Sequence, residues 1–184
     1  QEDEYIEFEA VSKGGKGGAG YNDPYTFSYY IGGGGGGGSG FSGFFNRNNN
    51  SSSQINIEIT STYTKISDIN SDGVVLYNGS NGNNYGSNSS SGGTGGTFDN
   101  NLSSSIYYSV TTMVNGNNGQ NGSRRQGQGV NTTTSGGAPG ISIDETNYGN
   151  GGQGEATGSS QGNKIEFNGG ENGKSSAVKV ILHK

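Results

Sequence analysis

Seven consecutive glycines, GGGGGGG at positions 32–38, directly follow the aromatic run YTFSYYI at positions 25–31. Glycine loses more backbone freedom on folding than any other residue, so such a run stays disordered unless specific contacts hold it. The chain of 184 residues contains 39 glycines, and only 26% of its residues are hydrophobic. The contacts that hold residues 32–38 therefore decide the fold.

Glycine recurs elsewhere in the chain with a period of three. The repeats include GGKGGAG at 14–20, GGTGGT at 92–97 and GNNGQNG at 116–122. A period of three matches the extended left-handed helix of the polyproline II type, which has about three residues per turn and no internal hydrogen bonds. Two such helices with glycine on their facing edges can approach closely, and their backbone groups can then bond to each other. The spacing predicts packed polyglycine II helices.

In such an array the non-glycine residue of a triplet faces outward. We predict this position for Lys16, Ala19, Thr94, Thr97 and Gln153. The alternative, a flexible linker rich in Gly, Ser and Asn, fits the sequence alone equally well. We take the packed array as the prediction to be tested. The collagen triple helix does not fit, because the chain has only two prolines and strand-like runs interrupt the repeats.

Short runs with strand character separate the glycine repeats. Ile6, Phe8 and Ala10 lie on one face of their run, with glutamates on the other, as the two-residue period of a β-strand requires. The predicted strands are Tyr5–Val11, 25–31, 55–60, 74–77, 106–114, 141–143, 164–167 and 177–182. Helical spacing and helix-start signals are absent. We predict one glycine-rich domain over residues 1–184, mainly β or irregular, in which short strands alternate with packed polyglycine II helices and α-helix is essentially absent.

Charge and composition limit the partners. The net charge is −5, with 10 Lys and Arg against 15 Asp and Glu, which argues against nucleic acid as a partner. The chain has no cysteine, so disulfide and thiolate chemistry is excluded. No apolar run is long enough to cross a membrane, and we expect no membrane insertion.

Signals for catalysis are weak. The single histidine, His183, lies one residue from the end of the sequence, where we expect a solvated side chain rather than a catalytic or metal site. GKGGAG at 15–20 satisfies the dinucleotide-binding pattern G-x-G-x-x-G, but no predicted helix follows it to bind a phosphate. We expect that the protein is not an enzyme and that it binds no cofactor.

Calcium is the one metal that the carboxylates could hold. GGTGGTFD at 92–99 approaches the calcium repeat G-G-x-G-x-D, but its aspartate comes late and the unit occurs once. Four acidic residues in predicted turns offer oxygen ligands: Asp68, Asp72, Asp144 and Glu145. Isolated acidic residues in turns usually only solvate the loop, and we do not expect bound Ca²⁺.

Aromatic and arginine side chains are the candidates for binding. FSGFFNR at 41–47 follows the longest glycine run, and YNDPY at 21–25 forms a second aromatic turn that we expect nearby. Such residue types anchor interfaces and stack on sugar rings. The predicted contact residues are Phe41, Phe44, Phe45, Arg47, Tyr21, Tyr25, Arg124 and Arg125. The alternative, which a chain so short of large apolar residues favours, is that the phenylalanines form a small core that caps the glycine array.

The glycine segments resemble those of a known group of proteins. The stretches concerned are 6–20, 31–40, GGAPG at 136–140 and NGKSSAVKVIL at 172–182. They resemble glycine-rich virion proteins, which include the distal tail-fibre adhesins of tailed bacteriophages and glycine-rich proteins of large DNA viruses. The resemblance implies a polyglycine II sandwich whose helices support variable loops that touch the host surface. The sequence departs from that pattern in its many Asn and Ser residues where those proteins carry Gly.

The resemblance and the glycine architecture together predict a non-enzymatic structural and binding protein of a virion. A rigid glycine-rich scaffold would present loops to a host-surface receptor, protein or glycan, or to neighbouring virion proteins. The alternative is a secreted or cell-surface glycine-rich protein that self-assembles into extracellular filaments. Ice binding would need a flat and regular Thr or Ala face, and the row begun by Thr94 and Thr97 does not extend into one.

Overall fold

The structure is a computed structural model that describes residues 5–23, 25–26, 28–46, 55–68, 71–85, 89–101, 108–126, 132–155 and 170–183. Within these ranges the chain forms four antiparallel sheets and no helix, which confirms the prediction of a mainly β protein. The strands are β1 (Tyr5–Val11), β2 (Tyr21–Asp23), β3 (Ser28–Tyr30), β4 (Gly40–Asn46), β5 (Ile55–Ile59), β6 (Tyr63–Asp68), β7 (Ser71–Tyr77), β8 (Phe98–Asn100), β9 (Tyr108–Val114), β10 (Arg124–Gln126), β11 (Thr133–Thr134), β12 (Gly154–Glu155) and β13 (Ala177–His183).

Most of the longer strands lie where the sequence predicts them. β1 has the predicted bounds, and β5, β7 and β13 differ from the predictions by one to three residues at their ends. β9 covers the described part of the strand predicted at 106–114. The strand predicted at 25–31 is too long: it is reduced to β3, because Tyr25 and Thr26 lie in the turn that Asp23 holds. The predicted strand at 141–143 is wrong: Ile143 is buried but begins a tight turn, in which Thr146 N–H donates to Ile143 O (3.0 Å). The predicted strand at 164–167 lies outside the described residues.

Two four-stranded sheets form a sandwich at one end of the molecule. The first sheet has the strand order β13-β1-β4-β9, and the second has the order β5-β6-β7-β8. The side chains that meet between them form a buried core of Phe8, Ala10, Phe41, Phe45, Ile66, Val74 and Leu76. The first four come from the first sheet and the last three from the second, so apolar side chains hold the sheets together.

Two smaller sheets lie at the opposite end. One has the order β10-β3-β2 and the other pairs β11 with β12. The chain runs between the two ends through glycine-rich segments, for example from β1 to β2, from β3 to β4 and from β9 to β10. We call these segments together the glycine bundle. They comprise residues 12–20, 31–39, 78–85, 89–97, 115–123, 135–140, 149–153 and 170–176.

Residues 32–38, the central run, lie in the middle of the glycine bundle. All seven are buried, and every backbone N–H and C=O group of the run is hydrogen-bonded. The N–H groups donate, in chain order, to the carbonyl oxygens of Glu155, Asn83, Gln120, Gly152, Ser80, Asn117 and Gly149. The carbonyl groups accept, in chain order, from Thr134 Oγ1 and from the N–H groups of Gly18, Gly93, Gly137, Gly15, Gly96 and Gly140.

These hydrogen bonds repeat every three residues and reach six neighbouring segments. Successive N–H groups of the central run bond in rotation to residues 149–155, 78–85 and 115–123. Its carbonyl groups bond to residues 12–20, 89–97 and 134–140. The six neighbours also bond to one another in a closed ring, and residues 170–176 lie outside that ring against two of its members.

Only glycine fits in the central run. A Cβ atom built on any of its seven residues would overlap a carbonyl oxygen of a neighbouring segment. On Gly35 that atom would meet Gly15 O, and on Gly36 it would meet Thr94 O. Glycine is therefore required here because neighbouring backbones leave no room for a side chain.

The ring segments carry side chains on their outward edges. Lys16, Thr94, Thr97 and Gln153 are exposed and Ala19 is half-buried, which confirms their predicted outward position.

Asparagine side chains hold ring segments that have only one glycine per triplet to the neighbouring segments. The Oδ1 atom of Asn81 accepts a hydrogen bond from Lys16 N–H (2.8 Å), and the next residue, Gly82, donates its N–H to Lys16 O (2.8 Å). We call such a pair of bonds an Asn clamp. Asn78 and Asn84 form the same pair of bonds with Lys13 and Ala19. Asn118 and Asn121 form a related clamp, in which Oδ1 accepts from a glycine N–H and the N–H of the next residue donates to the carbonyl two residues before that glycine. The asparagines that replace glycine in this sequence thus bind the backbone of the neighbouring segment.

Candidate functional site

The segment predicted as a phenylalanine-rich loop tip is strand β4, in the interior of the first sheet. β4 pairs with β1 on one side and with β9 on the other. Phe41 and Phe45 are 2% and 1% exposed and belong to the sandwich core. The loop-tip prediction is therefore wrong for these two residues, and the alternative that they form a core is correct.

Phe44, the third phenylalanine of this segment, does not lie on an exposed tip either. Phe44 is half-buried on the opposite face of β4, where it packs edge-to-face against Tyr5 with ring centroids 5.5 Å apart. Arg47 lies outside the described residues. The two-residue period was hidden because Gly43 stands between Phe41 and Phe45 at a position that a core side chain would normally take.

Tyr21 and Phe41 lie at opposite ends of the glycine bundle. Tyr21 pairs with Tyr30, which closely precedes the central run, whereas Phe41 closely follows it. Tyr25 belongs to the turn between β2 and β3, at the same end as Tyr21. The prediction that these tyrosines neighbour the phenylalanines is therefore wrong.

Four side chains form a cluster at the small-sheet end, which we call the tyrosine cap: Tyr21, Tyr30, Tyr85 and Arg124. The rings of Tyr21 and Tyr30 stack with centroids 4.3 Å apart and an angle of 16° between them. Tyr85 packs edge-on against both, at 6.3 and 5.0 Å. The Arg124 guanidinium lies over the Tyr30 ring, 5.5 Å from its centroid. Aromatic pairs contribute about 0.5–1.5 kcal/mol beyond their burial, so the four side chains support one another.

Three strands and one glycine segment position the tyrosine cap. Tyr21, Tyr30 and Arg124 stand opposite one another on β2, β3 and β10. Arg124 also donates from Nε and Nη2 to the buried Ser28 Oγ (3.3 and 3.0 Å). Tyr85 is fixed through its backbone N–H, which bonds to the first glycine segment. Burial raises the pKa of the Tyr21 hydroxyl above its usual value, and Tyr30 and Tyr85 add to the effect.

Tyr25 and Arg125 lie beside the tyrosine cap and not in it. Asp23 fixes the turn before Tyr25: its Oδ1 accepts from Tyr25 N–H (3.0 Å) and its Oδ2 from the Thr26 hydroxyl (2.8 Å). These hydrogen bonds, that of Thr26 above all, lower the pKa of Asp23. Tyr25 is 72% exposed, the largest exposure among the described large hydrophobic and tyrosine side chains. Arg125 follows Arg124 on β10 and therefore faces the other side of the sheet.

A polar groove runs along the outside of the glycine bundle. It has a volume of about 120 Å³ and is lined by Lys13, Lys16, Ser61, Asn78, Asn81 and Asn172, together with glycine backbone. Residues 12–20 form its floor, and residues 78–85 and 170–176, which both bond to that floor, form its walls. Sequence reasoning missed this groove, because its three segments are far apart in the chain.

The described residues contain no group of three or more His, Cys, Asp or Glu side chains that could hold a metal ion. Asp144, one of the candidate calcium ligands, instead forms an ion pair with Lys179 and raises the pKa of that lysine. Its neighbour Glu145 is exposed, and both residues have positive φ (50° and 56°) in a tight turn. The side chains of Asp68 and Asp72 lie outside the described part of the structure.

His183 has specific partners, contrary to the prediction of a solvated side chain. Its Nε2 lies 3.0 Å from Glu7 Oε2, and its ring stacks on Tyr5 with centroids 4.2 Å apart. These contacts join β13 to β1 on the outer face of the first sheet.

In the described ranges no helix is long and apolar enough to span a membrane.

Comparison with known protein families, with curated proteins and with solved structures finds no match for this chain. The resemblance to glycine-rich virion proteins therefore stays a prediction from the sequence.

Proposed function

We propose that the glycine segments are polyglycine II helices packed around a central one. A helix with about three residues per turn and no internal bonds directs successive N–H groups toward three different neighbours. The N–H groups of the central run bond in such a three-step rotation, and its carbonyl groups do the same toward three further segments. The outward position of every third side chain in residues 12–20 and 89–97 supports the same conformation.

We propose further that the chain is a non-enzymatic scaffold protein of a virion, which holds a recognition surface rigidly for a host receptor or a neighbouring virion protein. The complete hydrogen bonding of residues 32–38 carries the rigid-scaffold part of this proposal. A bundle fixed by its own backbone has little side-chain chemistry inside it, so recognition falls to the ends and the outward edges. The assignment to a virion rests on the resemblance of the glycine segments alone.

The tyrosine cap is the end that suits recognition best. It combines three tyrosine rings with an arginine, and the highly exposed Tyr25 stands next to it. Tyr and Arg are enriched among the residues that dominate interface energetics. Tyr adds a large contact area at low entropic cost, and Arg adds several directed hydrogen bonds. The sandwich at the other end uses its phenylalanines internally.

The alternative, a protein that assembles into extracellular filaments, is less well supported. Each described glycine of the bundle already has another part of the chain against the position of its Cβ. At these Cβ positions there is no room for the backbone of a second copy. Growth of a filament through the bundle would therefore need a different contact.

The test uses the labelled protein and measures its binding to intact host cells and to purified virions. We expect Tyr25→Ser combined with Arg124→Gln to abolish binding while the circular dichroism spectrum stays unchanged. The matched control is Val180→Ser with Leu182→Ser, which removes exposed apolar side chains at the sandwich end. Unchanged binding of the cap variant would contradict the proposal, and fibres of the purified protein in electron micrographs would favour the alternative.

A further inference from the structure

We propose that the polar groove over residues 12–20 is a binding site for an acidic polysaccharide, a chain of sugars that carries sulfate or carboxylate groups. The site is separate from the tyrosine cap, and it does not depend on the function proposed for that cap. The observations that carry it are the charge of the groove, its side-chain polar groups that have no partner among the described residues, and the saturated backbone of the two lysines on its floor.

The groove is positively charged in an acidic protein. Lys13 and Lys16 rise from its floor, and none of the described residues that line it is Asp or Glu. Both lysines are exposed, and neither ammonium group contacts a carboxylate or another polar atom of the described residues. By contrast, Lys179 on the outer face of the first sheet pairs with Glu9 and Asp144. Two positive charges in one cleft repel each other and attract an anion. A bound anion therefore lowers the electrostatic energy of the pair.

Neutral hydrogen-bonding groups surround the two lysines. Asn172 forms no side-chain hydrogen bond to the described residues, and the amide nitrogen of Asn81 likewise has no partner there, while its Oδ1 holds Lys16 N–H. Ser61 stands at the sandwich end of the groove, where its carbonyl accepts from Asn78 Nδ2 (2.7 Å). Amide and hydroxyl groups of this kind bond to sugar hydroxyls, which gives the site more than charge alone.

The backbone of the two lysines on the groove floor is saturated, which disfavours a peptide that would pair with that floor. The N–H and C=O groups of Lys13 and Lys16 are all taken up by Asn clamps from the wall at residues 78–85. A peptide that adds itself to a protein backbone needs free N–H and C=O groups, and an amphipathic peptide needs an apolar groove. The side chains that line this groove are lysine, serine and asparagine.

The spacing of the lysines suits a repeating anion. They are three residues apart on one edge, which at a rise of about 3.1 Å per residue places them about 9 Å apart along the groove. A polysaccharide with at least one acidic group per disaccharide offers anions at this interval, so one chain can meet both lysines without bending.

The experiment measures affinity by isothermal titration calorimetry at low salt. The probes are a heparin octasaccharide and a tetragalacturonate, which carry sulfate and carboxylate groups respectively. A neutral dextran oligosaccharide and two polyglutamate peptides serve as comparisons. Each peptide is matched in net charge to one of the acidic sugars. We expect the acidic sugars to bind, more weakly as salt rises, and the comparison probes to bind at least about tenfold more weakly.

Two matched lysine variants locate the site. Lys16→Gln should weaken binding by about tenfold, as expected for loss of a charge-assisted hydrogen bond. Lys174→Gln removes an exposed lysine of the adjacent segment that does not line the groove, and it should change affinity by less than about twofold. The Lys16 side chain makes no contact that the fold needs, so both variants should keep the wild-type thermal midpoint.

A third variant separates sugar recognition from simple charge attraction. Asn172→Ala should weaken binding of the acidic sugars although the net charge is unchanged. The proposal is overturned if no acidic sugar binds, if Lys16→Gln and Lys174→Gln lose affinity equally, or if polyglutamate binds as tightly as the sugars. None of these results bears on the role proposed for the tyrosine cap, because the test of that role uses other residues, at the small-sheet end of the molecule.

Discussion

The central run of the glycine bundle and the core of the β-sandwich are both buried, but they offset the entropy of folding by different means. In the sandwich, Phe8, Phe41 and Phe45 remove apolar area from water, at roughly 25 cal/mol per Å². In the central run, residues 32–38 bury no side chain at all, and all fourteen of their backbone polar groups are hydrogen-bonded. A chain with 26% hydrophobic residues can therefore be ordered where backbone bonds replace apolar contacts.

The two regions should respond to substitution in opposite ways. A sandwich core tolerates small changes of shape and loses stability in proportion to the atoms removed. The central run has nothing to remove and no room for an added atom, since each Cβ position coincides with a neighbouring carbonyl. Additions should damage the bundle and deletions should damage the sandwich.

The largest effect is expected for Gly35→Ala. The added methyl group would overlap Gly15 O and push apart two neighbouring segments, with a loss of more than about 4 kcal/mol, an exceptional value for one substitution. Gln153→Ala is the matched control, because it also ends in alanine but on an exposed edge of a ring segment. Thermal unfolding followed by circular dichroism measures both. Equal midpoints for the two variants would contradict the packed bundle.

A large but graded effect is expected for Phe45→Ala. This side chain is 1% exposed in the sandwich core, and its truncation should cost about 3–5 kcal/mol. Phe44→Ala, one residue earlier on the half-buried face of the same strand, should cost clearly less. Urea unfolding of both variants gives the comparison. If Phe44→Ala proves the more damaging change, the assignment of the two faces of β4 is wrong.

An intermediate effect is expected when an Asn clamp is removed. Asn81→Ala leaves Lys16 N–H without its acceptor and should cost about 1 kcal/mol, the typical net value of one hydrogen bond. Hydrogen exchange of the Lys16 amide should become faster at the same time. Asn172→Ala, which removes an asparagine with no clamp, should leave both stability and that amide unchanged. Similar behaviour of the two variants would show that clamps do not hold the ring.

The smallest effects should differ in sign between the two regions. Thr64 is fully buried in the sandwich, and its Oγ1 has no hydrogen-bond partner among the described residues, so Thr64→Val should raise stability by about 1 kcal/mol. Thr134 is also buried, but its Oγ1 donates to Gly32 O (2.7 Å) at the start of the central run. Thr134→Val should therefore lower stability. Chemical denaturation resolves the two changes, and the same sign for both would break the contrast.

The sequence predicted the local conformation of the segments better than which segments pair with one another. Alternation in residues 5–11 located β1, and the spacing of glycine placed Lys16 and Thr94 on outward edges. Both are local patterns, set by the period of a strand or of an extended helix. The ring of six segments around residues 32–38 depends on pairings distant in sequence, which a local pattern cannot contain.

The candidate sites show the same division. The tyrosine cap includes Tyr21 and Arg124, which composition had marked, but also Tyr30 and Tyr85, which became neighbours only through sheet pairing and the glycine bundle. Phe41 and Phe45 were misread as a loop tip because Gly43 interrupts their alternation. Asparagine was interpreted as a departure from the glycine pattern. In the structure, Asn81 and four other asparagines accept hydrogen bonds from the backbone of a neighbouring segment.

The most direct test of the account is amide hydrogen exchange in the central run, measured by NMR on the intact chain. Residues 32–38 should all exchange slowly, at rates comparable to the amide of Phe8 in the sandwich core, because each N–H is bonded to a neighbouring carbonyl inside the bundle. Exchange of these seven amides at the rate of an unstructured chain, while Phe8 stays protected, would show that the sandwich alone is ordered and that the glycines are a linker.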